Sequence, residues 1–309
     1  MPSSDRISKV RKTACHVPFD DSSKLILMSD CHRGDGNWED TFAHNQTLYY
    51  SALSHYYAEN YTYIELGDGD DLWKNKSLLD ITRAHNNVFE LLNKFHEKGR
   101  IHLIYGNHDI VKGNDKWLKK NFFTYINKQE DKKARLLKGA KIHNGIILKH
   151  TVTGDEILLL HGHQADFINN NLWKLSRFLV RYLWRPLEQL GVHDPTLAAM
   201  NYSKRDLIER KLIAWVQANK QMLIAGHTHR PVFPDAGRPP YFNDGCCVHP
   251  YSITGIEIAN GEISLVKWSV KTRPDGVLLT GKDMIAGPNK LTGYFSYNKA
   301  PCQRPPDRC

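Results

Sequence analysis

Three short apolar segments that end in polar residues constrain the fold of this chain more than any other feature. They are 24-KLILMSD-30, 61-YTYIELGD-68 and 100-RIHLIYGN-107. Each has the length of a buried strand, and helical patterns over about 40–58 and 77–98 separate them. Strands that alternate with helices predict an α/β fold with βαβ units and parallel strands. In such sheets ligands bind at the carboxyl ends of the strands.

The second half of the chain has a more antiparallel pattern. We predict a hairpin over 145–163, a strand over 221–227, and a second hairpin over 252–270 that turns at Asn260-Gly261. Asn-Gly between alternating apolar residues is the strongest short hairpin signal. A helical insertion is predicted at about 164–219. The main domain should therefore span 20–284, and the polar residues 285–309 should form a weakly ordered tail.

Length and composition limit the class of protein. The chain has 309 residues, enough for one large domain or a domain with a subdomain. No apolar run approaches 18 residues, and the start MPSSDRISKVRK does not read as a secretory signal. Six cysteines without a CxxC pair are typical of reduced thiols. We therefore expect a cytoplasmic protein without a transmembrane segment, with peripheral membrane association as an alternative.

The positive charge is concentrated in one segment. The formal net charge is +9, and residues 112–141 contain ten Lys/Arg against three Asp/Glu. Such a segment favours anionic partners, although a solvated helical face is the simpler interpretation. Aromatic residues lie among these cations (Trp117, Phe122, Phe123 and Tyr125), and aromatic rings can stack on bases. Nucleic acid is therefore a candidate partner, but the weaker one.

Polar residues form five blocks along the chain, most of them where predicted strands end. The blocks are 30-DCH-32, 67-GDGDD-71, 106-GNHD-109, 161-HGH-163 and 226-GHTH-229. Carboxylate, amide oxygen and imidazole ligands suit Mn, Fe, Zn or Mg better than a thiophilic metal. The blocks offer enough ligands for two ions, and two ions about 3.5–4 Å apart clamp the attacking and leaving oxygens of a phosphoryl displacement. On an extended strand end, the one-residue spacing would point both side chains of each pair the same way.

In this order, the five blocks resemble the motifs of the calcineurin-like metallophosphoesterase family, over residues 30–229. The resemblance implies a four-layer α/β/β/α sandwich with a helical insertion as a lid. It also implies a binuclear enzyme that hydrolyses phosphate mono- or diesters by direct attack of a metal-bound hydroxide. Two divalent ions are implied, with Mn or Fe expected and Zn or Mg as alternatives.

The resemblance also assigns roles to residues of this sequence. Asp30, His32, Asp68 and His229 would hold the first ion, and Asp68, Asn107, His161 and His227 the second. His108 would stabilise the transition state or protonate the leaving oxygen, with Asp109 orienting its ring. Arg33, His163 and Arg230 are candidate substrate contacts. We expect Asp71 to have a supporting role and Asp70 to be solvated.

The inserted segment bears on the substrate. Residues 172–186 are apolar and aromatic, with a basic stripe on one helical face (Lys174, Arg177, Arg181 and Arg185). Such a helix packs as a lid, a dimer contact or a lipid-binding face. Its position resembles the lid of the UDP-2,3-diacylglucosamine pyrophosphatase branch, as does the ending GHTHRP, but that branch usually carries Arg where this chain has His108.

We therefore expect a phosphorylated small-molecule substrate, with an amphipathic or nucleotide-linked group among the candidates. The alternatives are a pyrophosphatase of a nucleotide-linked amphipathic substrate, a nuclease, and a non-catalytic scaffold. Substrate, metals and oligomeric state stay open at this point.

Overall fold

The computed structural model describes residues 2–121, 124–127, 132–166, 178, 180 and 202–299. Most of the insertion therefore lies outside the described residues, including the apolar segment 172–186 apart from Phe178 and Val180. Phe122 and Phe123, two of the aromatic residues considered for stacking on bases, also lie outside the described residues. No helix in the described ranges is both long and apolar enough to cross a membrane.

The strands of the described chain form two mixed sheets and a small hairpin. In chain order they are β1 (Cys15–Phe19), β2 (Leu25–Met28), β3 (Thr62–Leu66), β4 (Ile101–Ile104), β5 (Thr124–Asn127), β6 (Lys132–Arg135), β7 (Ile142–His143), β8 (Gly145–His150), β9 (Glu156–Leu160), β10 (Met222–Ala225), β11 (Tyr241–Asn243), β12 (Ser252–Ala259), β13 (Glu262–Thr272) and β14 (Leu278–Lys290). The larger sheet has the order β14-β13-β12-β2-β3-β4-β7, and the smaller has the order β1-β8-β9-β10-β11. Strands β5 and β6 pair with each other.

The helices flank these sheets. They are α1 (Ser3–Thr13), α2 (Gln46–Ala58), α3 (Leu78–Ala84), α4 (Asn86–Glu97), α5 (Asp115–Asn121), α6 (Tyr202–Asn219) and α7 (Leu291–Lys299). The single helix predicted over 77–98 is two helices that meet at His85, whose ring is fully buried. In α4 the buried residues recur at helical spacing, which presents one apolar face to the sheet.

Three apolar clusters separate four layers. The first lies between the larger sheet and helices α2 and α4, and includes Tyr49, Leu53 and Phe89. The second lies between the two sheets, and the third joins the smaller sheet to α1 and α6. The predicted α/β/β/α sandwich is therefore confirmed.

The predicted parallel strands lie side by side. Strand β2 pairs in parallel with β3, and β3 with β4. Their carboxyl ends, and so the first three polar blocks, meet at one edge of the larger sheet. Both predicted hairpins form, as β8–β9 and β12–β13. Asn260 and Gly261 both have positive φ, as a type I′ turn requires.

The prediction of a weakly ordered tail over 285–309 is wrong for residues 285–299. Strand β14 runs to Lys290 and α7 continues to Lys299, while residues 300–309 lie outside the described chain. Leu291, Tyr294 and Phe295 are buried in the cluster between the sheets. Their i, i+3, i+4 spacing is that of an amphipathic helix, and it outweighs the polar composition of the segment.

We predict that Tyr294→Ala destabilises the whole domain. The Tyr294 ring is fully buried against Phe242, with 4.9 Å between centroids, and its hydroxyl donates to the Pro234 carbonyl at 2.7 Å. Truncating a buried aromatic side chain costs about 3–5 kcal/mol, measurable by urea unfolding. The matched control Tyr202→Ala removes a ring that is 73% exposed and should change stability by less than about 0.5 kcal/mol. Equal stability of the two variants would contradict a docked α7.

Candidate metal centre

The five polar blocks converge on one place at the carboxyl ends of the central strands. The loop after β2 carries Asp30 and His32, the loop after β3 carries Asp68, and the loop after β4 carries Asn107. The smaller sheet contributes His161 directly after β9, and His227 and His229 after β10. The two sheets therefore supply opposite walls of the same cluster.

Asp30, His32 and His229 form the first group of potential metal ligands. His229 Nε2 lies 3.0 Å from Asp30 Oδ1, and His32 Nε2 lies 3.6 Å from the same oxygen. The Nε2 atoms of the two histidines are 3.3 Å apart. Three ligand atoms directed at one point are what a bound cation requires.

Asp68, His161 and His227 form the second group. His161 Nε2 lies 3.2 Å from Asp68 Oδ2, and His161 Nδ1 contacts the Leu66 carbonyl at 2.9 Å. A backbone acceptor on one ring nitrogen fixes the tautomer that leaves the other nitrogen for a metal. His227 and His229 therefore lie in different groups of potential ligands.

Asp68 stands between the two groups. Its Oδ2 is 3.2 Å from His161 Nε2 and 3.9 Å from His32 Nε2. Its Oδ1 accepts a hydrogen bond of 2.7 Å from the His108 backbone N–H, which fixes the carboxylate. A Cβ at Gly106 would collide with this carboxylate, so glycine is required there.

Five candidate ligands have left-handed backbone conformations. The φ values are 51° at Asp30, 48° at His32, 50° at Asp68, 71° at His227 and 54° at His229. We expected extended strand ends to align the side chains within each pair, and that expectation is wrong. The loops turn instead, and Asp, Asn and His are the non-glycine residues that tolerate this region best.

Several buried polar atoms of these groups lack a hydrogen-bond partner among the described residues. They are Asp30 Oδ1, Asn107 Oδ1, His161 Nε2 and His227 Nε2. Leaving a buried polar atom unpaired is costly, so each requires an explanation. All four are oxygen or nitrogen ligands of the kind that Mn, Fe, Zn and Mg bind. The residues present therefore fit a pair of divalent cations.

Charge coupling within the cluster is strong. Burial disfavours the protonated ring of His161, but Asp68 and Asp30 outweigh burial and raise its pKa to about 9. Burial opposes ionisation of Asp68, but the neighbouring His161 and His108 hold the pKa of Asp68 well below its usual range. The carboxylates thus attract a proton onto His161, which a bound cation would replace, whereas burial lowers the pKa values of His32 and His227.

His108 lies beside the first group, and a different aspartate from the predicted one contacts it. Its ring centroid is 4.5 Å from that of His32, and its Nδ1 is 3.1 Å from Asp71 Oδ1. Asp109, expected to orient His108, instead accepts from the Gly106 N–H and from Lys112 Nζ, both at 2.7 Å. Asp71, on the loop after β3, therefore occupies the position that was expected for Asp109.

Two further expectations are corrected by burial. Asp70, expected to be solvated, is fully buried. Arg33, predicted as a substrate contact, has a side chain only 1% exposed and is paired with Glu65 and Asp70. In the sequence, the position of Arg33 next to a motif suggested a contact with phosphate. In the structure its N–H groups donate to Glu65 and Asp70 instead.

The remaining predicted contacts have distinct positions. His163 is buried next to His161, with ring centroids 5.5 Å apart, and its Nδ1 has no hydrogen-bond partner within the described part. The Arg230 side chain is 44% exposed and is bonded to Glu209 of α6. Arg230 can therefore reach solvent at the rim of the site, whereas His163 lies beneath the second group.

Sequence reasoning missed three residues that support the site. Trp73 stacks on His108, with centroids 4.4 Å apart and planes 19° from parallel. Asp166 Oδ2 is 3.7 Å from His227 Nε2. Asp244 Oδ1 lies 2.8 Å from the Ser29 hydroxyl, which also contacts Asp30 Oδ2. Burial and the neighbouring Asp30 raise the pKa of Asp244 well above its usual range. None of these three residues belongs to one of the five polar blocks, so the spacing of the motifs could not identify them.

A comparison of the sequence with protein families identifies the family of this chain. The model of the calcineurin-like phosphoesterase family matches residues 23–231. The chain belongs to the calcineurin-like phosphoesterase family. The matched range contains all five polar blocks and all three groups of potential ligands, the third being His32, Asp71 and His108. Membership in the calcineurin-like phosphoesterases implies metal-dependent hydrolysis of phosphoesters.

Comparisons with individual proteins add little to the family assignment. The crystal structure of Chaetomium thermophilum Vps29 aligns with a TM-score of 0.38 and 10% identity, over 86% of this chain and 97% of that one. The same protein in complex with the cyclic peptide RT-D3 aligns with a TM-score of 0.33 and 10% identity, over 85% and 96% of the two chains. Similarity at this level says nothing about activity. No curated protein matches the chain in sequence.

We predict that Asp68→Asn lowers the metal content while the fold is retained. Asp68 lies within reach of both ligand groups, so its loss should reduce bound Mn²⁺ to about half or less of the unaltered protein's content. Elemental analysis after loading and desalting measures this, and circular dichroism checks the fold. Asp283→Asn, at an exposed ion pair with Lys271, is the control. Undiminished metal content would remove Asp68 from the ligand set.

Proposed function

We propose that this chain is a binuclear metal-dependent phosphoesterase that hydrolyses phosphate mono- or diesters. The observation that carries the proposal is the adjacency of two ligand groups: Asp68 belongs to the second and lies 3.9 Å from His32 of the first, and His108 lies at their edge. Binuclear phosphoesterases need two adjacent cation sites with a common bridging ligand and a nearby proton donor.

In this proposal Asp30, His32, Asp68 and His229 hold one ion, and Asp68, Asn107, His161 and His227 hold the other. Mn or Fe suits the mixed oxygen and nitrogen ligands, with Zn or Mg as alternatives. When bound, the ions supply Lewis acidity and a nucleophile active at neutral pH. The side chains of His32 and His229 are 11% and 20% exposed, whereas Asp30 and His161 are fully buried. Substrate would therefore approach past His32 and His229.

His108 is the proposed acid or electrostatic catalyst. Asp71 accepts from Nδ1–H, which leaves Nε2 as the ring nitrogen that faces substrate. Burial disfavours the charged ring, but Asp68 and Asp71 outweigh burial and raise the pKa of His108 above its usual value. A ring that holds its proton can stabilise charge on the phosphoryl group or protonate the leaving oxygen.

The described part of the cleft favours a polar leaving group. A small cavity of about 10 Å³, room for about one water molecule, opens beside His32 and Asp71, and its lining contains no apolar side chain. The lining residues are His32, Gly34, Asp35, Asn37, Glu39, Asp40, Asp71, Lys74 and Asn75. Charged and amide side chains form hydrogen bonds with hydroxyl and amino groups, whereas an acyl chain gains no apolar contact from them. We therefore rank a small phosphorylated metabolite above an amphipathic substrate.

The alternatives have less support. The amphipathic pyrophosphatase reading depended on residues 172–186, almost all of which lie outside the described structure. The nuclease reading depended on the basic segment, and its first cation, Lys112, is buried and paired with Asp70 and Asp109. Both alternatives remain outcomes of the assay below.

The proposed function is tested by a parallel rate assay with added Mn²⁺. One reaction contains p-nitrophenyl phosphate and the other bis-p-nitrophenyl phosphate. Faster cleavage of the monoester would support a phosphatase, and faster cleavage of the diester would support diesterase, nuclease or pyrophosphatase chemistry. Absence of both rates in protein shown to contain two metal ions would contradict the proposal and favour a scaffold.

We predict that His108→Ala lowers kcat by about 10²–10⁴-fold with the metals still bound, since it removes only the acid. Metal content is measured on the same preparation. A variant that has lost its metal would show that His108 is a ligand, contrary to its proposed role. His249→Ala is the matched control, because His249 lies at the protein surface and contacts Pro250 and Ser252.

We predict that Asp71→Asn lowers the rate of the step that His108 catalyses, through its effect on the His108 ring. The amide keeps the size of the side chain but removes the charge that holds the Nδ1–H tautomer of His108. We expect kcat to fall by a larger factor than KM rises, because Asp71 acts on the chemical step through His108 and is only one of nine residues that line the small cavity. The two constants are measured with the substrate preferred above. An equal effect of Asp109→Asn on kcat, without loss of metal, would restore Asp109 as the orienting residue.

A further inference from the structure

A chain of buried charged side chains lies directly behind the candidate metal centre. Its members are Glu65, Arg33, Asp70, Lys112 and Asp109, and we call them the charge ladder. Each side chain is at most 3% exposed. With three carboxylates and two cations, the ladder carries opposite charges in alternation along its length.

Arg33 forms the first half of the ladder. It donates two parallel hydrogen bonds to Glu65, Nη1 to Oε2 at 2.8 Å and Nη2 to Oε1 at 3.1 Å. Its Nε donates to Asp70 Oδ1 at 2.6 Å. A guanidinium with three directed donors fixes both carboxylates in distance and in orientation. Glu65 is held further by the Tyr63 hydroxyl, at 3.2 Å.

Lys112 forms the second half. Its Nζ lies 2.7 Å from Asp70 Oδ2 and 2.7 Å from Asp109 Oδ2. The other oxygen of Asp109 accepts from the Gly106 N–H at 2.7 Å, at the start of the loop that carries Asn107. The ladder thus ends on the backbone of a ligand-bearing loop.

Each ligand-bearing loop of the larger sheet contributes to the ladder next to a candidate ligand. Arg33 directly follows His32, Asp70 comes two residues after Asp68, and Asp109 two residues after Asn107. Backbone hydrogen bonds join the first two loops as well, from His32 N–H to the Asp68 carbonyl at 2.9 Å and from Arg33 N–H to the Gly69 carbonyl at 3.0 Å. Between the loops after β3 and β4, Lys112 joins Asp70 to Asp109, in addition to the contact of Asp71 with His108.

We propose that Arg33 and Lys112 are positioning residues that set the spacing of the three loops for two metal ions. The inference rests on the proposed binuclear centre. Buried ion pairs add little stability over apolar side chains of similar volume, so stability alone does not account for four of them. Residues that hold ligands in place affect metal affinity, and their loss typically weakens binding by about 10–100-fold.

The test is a charge-balanced double variant, Lys112→Met with Asp109→Asn. It removes one positive and one negative charge, and the asparagine oxygen can still accept from the Gly106 N–H. Neutralising both partners avoids the uncompensated charge that Lys112→Met alone would leave. Mn²⁺ affinity is measured by electron paramagnetic resonance of the free ion, which does not depend on turnover. We expect the dissociation constant to rise about 10–100-fold in protein that circular dichroism shows to be folded.

Two further variants sharpen the result. Arg33→Lys keeps the charge but loses the paired donors to Glu65, and we expect an intermediate loss of Mn²⁺ affinity. Lys282→Met with Glu257→Gln removes a partly buried ion pair of 2.7 Å between β12 and β14, away from the loops, and should leave affinity unchanged.

The outcomes separate this inference from the proposed function. Equal dissociation constants for the unaltered protein, the Lys112 double variant and Arg33→Lys would overturn the positioning role while the metal centre stands. Loss of affinity in the Lys282 control as well would show a general effect of stability and would also overturn the role. Failure of the unaltered protein to bind Mn²⁺ would contradict the proposed centre itself.

Discussion

The left-handed turns that follow β2, β3 and β10 are the constraint on which the rest of this structure depends. They place Asp30, His32, Asp68, His227 and His229 in a conformation that costs about 1–2 kcal/mol for each non-glycine residue. The turns are held by hydrogen bonds between loops, such as Asp30 N–H to the Gly67 carbonyl at 3.1 Å and His227 N–H to Asp30 Oδ2 at 2.8 Å. The strain directs side chains from three turns to one point, which extended strand ends would not do.

Burial of charge is the second cost of this arrangement. Asp30 and Asp68 are nearly inaccessible to solvent, and an isolated buried carboxylate is strongly unfavourable. Imidazoles on one side and backbone N–H groups on the other compensate the charge. Asp30 Oδ1, Asn107 Oδ1, His161 Nε2 and His227 Nε2 nonetheless form no hydrogen bond among the described residues. A site of this kind is more favourable with cations bound, which links the fold to the chemistry of its family.

The site also shows why neighbouring motifs act together. Asp71 of one motif contacts His108 of another, and Trp73 stacks on the same ring. Behind them, Arg33 and Lys112 join the three loops of the larger sheet. Residues of one block are therefore supported mainly by residues of another, so the motifs cannot be assigned roles one at a time.

The sequence by itself determined the parallel strands and both hairpins, because hydrophobic periodicity and turn residues act over short distances. The four-layer sandwich and the ligand types followed from the five polar blocks and their resemblance to the family. Parallel strands end at one edge, so the sequence also determined that the polar blocks would meet. Only the tertiary structure decided that Asp71 rather than Asp109 contacts His108, and that Arg33 and Asp70 are buried. It also decided that residues 291–299 form a docked helix. The physical reason is that a charged side chain is buried only where it has a partner. Arg33 pairs with Glu65 and Asp70 with Lys112, each more than 30 residues away in sequence, and the local spacing of residues cannot predict such partners.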